Sequence, residues 1–116
     1  MRFLVSNDDG IYAEGLYQLV SSLAAIGEVS VVAPDIERSA ASHAITMNYP
    51  LRVREVQLSG LDIEAYAVNG TPADCVKLGL DVLIEQPPDF VFTGINLGAA
   101  EQKVLNQNQQ QIPIYC

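Results

Sequence analysis

Basic residues are scarce in this chain. Its 116 residues include 6 lysines and arginines against 14 aspartates and glutamates, which gives a formal net charge of −8 at pH 7. Proteins that bind DNA or RNA without sequence preference need clustered bases to neutralise the phosphates. The bases here are dispersed, so a nucleic-acid polymer is not predicted as a partner: they are Arg2, Arg38, Arg52, Arg54, Lys77 and Lys103. A small anionic ligand stays compatible with this charge if a metal ion offsets the repulsion.

Cysteines and long apolar runs are also few. Two cysteines, Cys75 and Cys116, do not make a disulfide framework. No apolar stretch reaches the ~18 residues that a membrane-spanning helix needs, and no basic and apolar leader precedes the first motif. We therefore expect a soluble cytoplasmic protein with no membrane partner. The length favours one domain, and 49% hydrophobic residues favour a packed core.

The first third of the chain has the pattern of a β-α-β unit. Residues 2–6 form an apolar run typical of a strand buried on both faces, and residues 28–34 form a valine-rich second strand. Between them, apolar residues recur at the spacing of one helix face, namely Leu16, Leu19, Val20 and Leu23.

The next segment predicts a hairpin, a helix and another strand. Residues 51–58 and 62–68 alternate apolar and polar side chains around a Ser-Gly pair, which predicts an antiparallel hairpin. Thr71 is a suitable N-cap, Pro72 suits the first helical position, and Asp74 can complete a capping box. Residues 89–93 then predict another strand. The fold class is therefore α/β, with a mostly parallel sheet and a β-hairpin.

The end of the chain has a different composition. Residues 106–111 are only asparagine and glutamine, which is a low-complexity run. We predict a domain over residues 1–98 and a divergent tail over residues 99–116 that is loose or weakly helical.

Polar side chains follow three of the predicted parallel strands. Asp8 and Asp9 follow the first strand, Ser39 the second, and Asn96 the strand at 89–93. Ligands of open parallel sheets bind at the carboxyl ends of strands, so these side chains are expected at one edge. Two carboxylates, a hydroxyl and an amide oxygen are ligands for Mg²⁺, Mn²⁺ or Ca²⁺. A divalent cation would also make the adjacency of the two aspartates favourable.

Each of these positions also has a purely structural interpretation. Taken alone, the aspartate pair with Gly10 fits a polar turn as well as it fits a metal site. Ser39 could cap a turn, and Asn96 could occupy a turn position with positive φ. His43, the single histidine, fits polar surface better than a proton shuttle.

Four segments together resemble one family, the SurE survival proteins, also called stationary-phase survival proteins or 5'/3'-nucleotidases. They are "LVSNDDG" at 4–10, "VVAPDIERSAASHAIT" at 31–46, "NGTPADCVKLGL" at 69–80 and "FTGINLG" at 92–98. They stand in the family's order and cover about the first 98 residues. The resemblance implies a Rossmann-like three-layer α/β/α fold. It further implies a metal-dependent phosphatase of nucleoside 5'/3'-monophosphates, cytoplasmic and homo-oligomeric as in the family.

The same resemblance implies roles for particular residues. Asp8 and Asp9 would be catalytic and would hold the metal, Mg²⁺ or Mn²⁺, with Ser39 and Asn96. The remaining implied positions shape the loop and the substrate site, and they are Asn7, Gly10 and Gly98. A metal held there would bind the phosphate and lower the pKa of a bound water for in-line attack.

The resemblance stops before the end of the chain. Family members continue into a long second half, whereas the residues from Ala99 onward do not match it, so the chain resembles a truncated, N-terminal part. A second hypothesis is therefore a non-catalytic truncated paralogue or fragment that binds metal or nucleotide. A receiver domain shares the length and the acidic pair, but it needs an aspartate after its third strand. Residues 51–58 contain none.

Overall fold

The computed structural model describes residues 1–36 and 50–93, together with the backbone of two later strands. In chain order the elements are β1 (Arg2–Val5), α1 (Glu14–Ala24), β2 (Glu28–Pro34), β3 (Val53–Glu55), β4 (Glu64–Val68), α2 (Pro72–Leu78), β5 (Phe90–Phe92), β6 (Glu101–Leu105) and β7 (Gln111–Tyr115). Helix α2 continues directly into a π-helical segment, Gly79–Leu83. Among the described helices none is long and apolar enough to cross a membrane.

The strands form one mostly parallel sheet with antiparallel edges. Their order is β3-β4-β2-β1-β5-β7-β6, with β3 and β6 antiparallel to their neighbours. The chain moves outward from β1 through β2 to the β3–β4 hairpin and then returns to place β5 on the other side of β1. The strand order therefore reverses between β1 and β5, where open α/β sheets bind their ligands.

Two helical layers enclose the sheet, because neighbouring residues of β1 point to opposite faces. On one face, α1 packs its Leu16, Val20 and Leu23 against sheet residues that include Phe3, Val5 and Val31. On the other, α2 and the π-helical segment pack Cys75, Val76 and Leu80 against Leu4, Val32 and Val91. Each fully buried valine or leucine contributes about 1.5–3 kcal/mol to folding. The three-layer α/β/α prediction is confirmed.

The structure also contains the predicted hairpin and the predicted helix N-cap. In the hairpin Val53 lies opposite Val68, and its turn contains Gly60 at a φ of 76°, which a residue with a Cβ rarely adopts. Strand β3 is shorter than predicted, since only three residues pair and all three are exposed. At the start of α2, Thr71 and Asp74 form the predicted capping box.

The prediction of a loose or weakly helical tail is wrong. Strands β6 and β7 form an antiparallel hairpin, and β7 lies parallel to β5 with Val91 opposite Ile114. Two physical causes favour this arrangement. Residues 111–115 hold isoleucines and a tyrosine, which suit strands, and β5 otherwise leaves an edge of unpaired backbone groups. The predicted boundary at residue 98 stays a prediction.

Candidate functional site

The loop that follows β1, residues 7–10, is closed by its own asparagine and is called the NDDG loop below. The Asn7 Nδ2 donates to the Gly10 carbonyl oxygen at 3.0 Å, and the Gly10 N–H donates to Asn7 Oδ1 at 3.2 Å. Asn7 is 3% exposed, and Gly10 has a φ of 107°, which only glycine adopts without strain. The clamp leaves Asp8 half-buried and Asp9 exposed. Because Asn7 makes the turn, neither aspartate is needed to hold it.

The NDDG loop is fastened to the ends of two neighbouring strands. The Ser6 N–H, just before the loop, donates to the carbonyl oxygen of Phe92 in β5 at 2.7 Å. Just after the loop, the Ile11 N–H donates to the carbonyl oxygen of Pro34 in β2 at 2.8 Å. These bonds fix the loop at the carboxyl edge of the sheet, at the point where the strand order reverses.

The two carboxylates of the loop are not neutralised by the rest of the described chain. Within residues 1–36 and 50–93, the ion pairs are Arg2–Glu28 and Lys77–Asp81, and neither involves Asp8 or Asp9. The hydrogen bonds described there do not engage these side chains either. Two adjacent carboxylates without a partner, in a chain of net charge −8, attract a cation with affinity for oxygen.

Ser6 is a buried polar residue that the sequence analysis did not single out. Its side chain is 0% exposed, and in the described part of the chain its Oγ has no hydrogen-bond partner. Buried hydroxyls ordinarily have a hydrogen-bond partner. A buried hydroxyl without one, next to the NDDG loop, is consistent with a polar ligand that binds at this edge of the sheet. The sequence signal was a serine that ends an apolar strand.

Half of the predicted ligand set lies within the described residues. Asp8 and Asp9 lie side by side at the predicted edge, with Asn7 and Gly10 shaping their loop. Ser39, Asn96 and Gly98 lie outside the described residues, as does His43. In the part that is described, no group of three or more histidine, cysteine, aspartate and glutamate side chains could hold a metal. A complete site therefore needs ligands beyond the aspartate pair.

The opposite, amino-terminal edge of the sheet is also acidic. A cavity of about 360 Å³ there is lined by residues that include Glu28, Glu64 and Glu85. Burial raises the pKa of Tyr66 on its wall, with the neighbouring Glu64 and Glu55 adding to the effect. These glutamates would repel a phosphate ester, and unlike Asp8 and Asp9 they do not lie where the strand order reverses, so the cavity is a weaker candidate for an anionic substrate.

Comparison with known proteins identifies the family of this chain. The family model described as "Survival protein SurE" matches residues 3–105. The chain belongs to the SurE family. Proteins named "5'-nucleotidase SurE" are similar to it: one from Alkaliphilus metalliredigens is 57% identical over 99 residues, and one from Moorella thermoacetica is 58% identical over 99 residues.

The chain is also similar to a SurE protein in structure, but the similarity covers only part of each relative. The crystal structure of the SurE protein from Aquifex aeolicus matches with a TM-score of 0.70 and 41% identity, over 83% of this chain and 38% of that one. The Alkaliphilus protein is likewise matched over 84% of this chain and 39% of its own length, and the Moorella protein over 85% and 38%. The chain thus spans less than two fifths of the length of these SurE relatives.

Proposed function

We propose that this chain carries the metal-binding loop of a phosphatase that hydrolyses nucleoside 5'- and 3'-monophosphates. One observation supports this most directly: the Asn7–Gly10 clamp presents two carboxylates without partners among the described residues, where the strand order reverses. The name "5'-nucleotidase SurE" of the similar proteins gives the substrate class. The cytoplasmic location and homo-oligomeric assembly expected from the family belong to the same proposal.

The proposed ligands are Asp8 and Asp9 together with Ser39 and Asn96, and the proposed ion is Mg²⁺ or Mn²⁺. These four residues suit such an ion, because all of them offer oxygen atoms. The two aspartates also carry negative charge that no basic residue in the described part of the chain neutralises. When bound, a divalent ion supplies charge to offset a phosphate and a water of lowered pKa.

The chain's own residues position and shape this site. The Asn7 amide holds the loop in one conformation, so the two carboxylates do not have to be ordered when a ligand binds. Gly10 supplies the positive φ that the closed loop requires. We assign Asn7, Gly10 and Gly98 to the substrate side of the site.

A second candidate is a protein that binds metal or nucleotide without hydrolysis. The aspartate pair supports it as well, because two carboxylates without partners among the described residues can hold a cation whether or not hydrolysis follows. The same aspartate pair serves both candidates, so activity and binding must be measured separately.

Phosphate release from nucleoside 5'- and 3'-monophosphates, with Mg²⁺, Mn²⁺ or a chelator, tests the proposal. We expect metal-dependent release by the 116-residue chain and a loss of roughly a hundredfold or more in Asp8→Asn. Asp62→Asn is the matched control, because it makes the same change at an exposed aspartate that follows the hairpin turn. Equal release by Asp8→Asn and wild type would show that the site is wrong. Metal binding without release by the wild type would favour the second candidate.

A further inference from the structure

The turn that follows the NDDG loop points an aromatic ring to solvent. The Ala13 N–H donates to the Gly10 carbonyl oxygen at 3.1 Å, which closes a β-turn over residues 10–13. Within this turn Ile11 is 1% exposed and packs in the core, whereas Tyr12 is 63% exposed. The buried Ile11 anchors the turn, so the exposed ring of Tyr12 stands on a fixed support.

Tyr12 forms one wall of a concave surface beside the loop. The concavity has a volume of about 230 Å³ and is lined by Ile11, Tyr12, Tyr17, Gln57, Leu58 and Ser59. The Tyr17 hydroxyl donates to the Ser59 carbonyl oxygen at 2.5 Å, which ties helix α1 to the hairpin turn and fixes the opposite wall. None of the lining residues carries a charge, in contrast to the acidic cavity at the other edge of the sheet.

The ring lies within reach of a ligand held by the aspartates. Tyr12 is three positions after Asp9, so their Cα atoms are at most about 11 Å apart, and the closed turn shortens that distance. A nucleoside monophosphate joins its base to its phosphate through a single ribose. A phosphate at Asp8 and Asp9 can therefore place its base at the uncharged concavity.

We propose that the Tyr12 ring contacts the nucleobase of the ligand and is a specificity-determining residue. This inference rests on the proposed function, since it takes the phosphate to bind at the NDDG loop. Aromatic side chains stack on every base, so the contact favours nucleotides over other phosphate esters without selecting strongly among bases. At about 230 Å³ the concavity is smaller than pockets that enclose whole ligands, so it suits one part of a ligand.

The test compares a ligand that has a base with one that lacks it. Phosphonate analogues of adenosine 5'-monophosphate and of ribose 5-phosphate, with a methylene in place of the ester oxygen, are titrated calorimetrically into the whole chain with Mg²⁺. We expect the adenosine compound to bind about tenfold more tightly to the wild type. Tyr12→Ala should lose that difference, while its affinity for the ribose compound stays unchanged.

Two controls isolate the ring. Tyr12→Phe keeps the aromatic face and should retain the preference for adenosine. Ile26→Ala removes another exposed apolar side chain, 70% exposed and next to β2's amino end, and should also retain it. A preference that survives in Tyr12→Ala, or an equal loss for both compounds, would overturn the inference. If the wild type bound both compounds equally, the inference would be overturned but the phosphate site would stand. If the wild type bound neither compound, the proposed function would be overturned as well.

Discussion

Two loops at the carboxyl edge of the sheet use the same residue types to different ends. The GTPAD turn, residues 70–74, follows β4 and contains an aspartate close to a glycine, as the NDDG loop does after β1. In the GTPAD turn, Asp74 is 1% exposed and accepts the Thr71 N–H at 2.8 Å. In the NDDG loop, Asp8 and Asp9 have no partner in the described part of the chain.

The difference comes from the residue that makes each turn. A helix start leaves N–H groups without partners, and in the GTPAD turn threonine and aspartate satisfy them reciprocally. In the NDDG loop, the Asn7 side chain bonds both backbone groups of Gly10, and no aspartate takes part. The aspartate of the first is therefore part of the fold, and those of the second are available for a ligand. Variants of the two loops test this separation.

Asn7→Ala should have the largest effect on stability. It removes two hydrogen bonds from a buried residue and leaves the Gly10 N–H unsatisfied, so we expect a loss of about 3 kcal/mol in the free energy of unfolding. Urea denaturation followed by circular dichroism measures it. The matched control is Asn69→Ala, because Asn69 also bonds backbone groups, those of Arg52 and Pro50, but is only half-buried. An equally large loss of stability in Asn69→Ala would contradict the conclusion that the buried Asn7–Gly10 hydrogen bonds contribute more than other side-chain bonds to the backbone.

Asp74→Ala should cost about 2 kcal/mol, because the buried Thr71 N–H loses its acceptor. Asp74→Asn keeps an acceptor oxygen and should lose about half as much. The measurement is again the denaturation midpoint, here with and without Mg²⁺. A dependence of the Asp74→Ala loss on Mg²⁺ would contradict the assignment of this aspartate to the fold.

Thr71→Val should cost about 1 kcal/mol, since it removes the hydroxyl that accepts the Asp74 N–H at 3.2 Å and conserves the shape. Thr71→Ser keeps the hydroxyl and should change little. In the double variant with Asp74→Ala, the two losses should not add, because both remove parts of one capping box. Simple additivity would mean that the two hydrogen bonds act independently.

The capping box was predictable because its signal is local: a threonine, a proline and an aspartate at fixed spacing determine it. The β-α-β unit and the Gly60 turn were predictable for the same reason. The β6–β7 hairpin was not, because it depends on the open edge of β5, which no local pattern reveals. The buried hydroxyl of Ser6 could not be predicted, since its burial follows from the assembled sheet. The aspartate pair was located from the sequence, but its availability depends on the Asn7 clamp, which only the structure shows.

Asp8→Asn should have the smallest effect on stability, with the opposite sign. Without divalent ions, the variant should be more stable than wild type by about 0.5 kcal/mol, since repulsion between two unit charges in water is below about 1 kcal/mol. Asp62→Asn changes the net charge by the same amount and should not change stability, so the difference between the two variants isolates the local repulsion. With Mg²⁺ the order should reverse, because an ion that binds only the folded state stabilises the protein that can bind it. If Asp8→Asn lost as much stability as Asp74→Ala, the carboxylate would be part of the fold, and the contrast between the two loops would disappear.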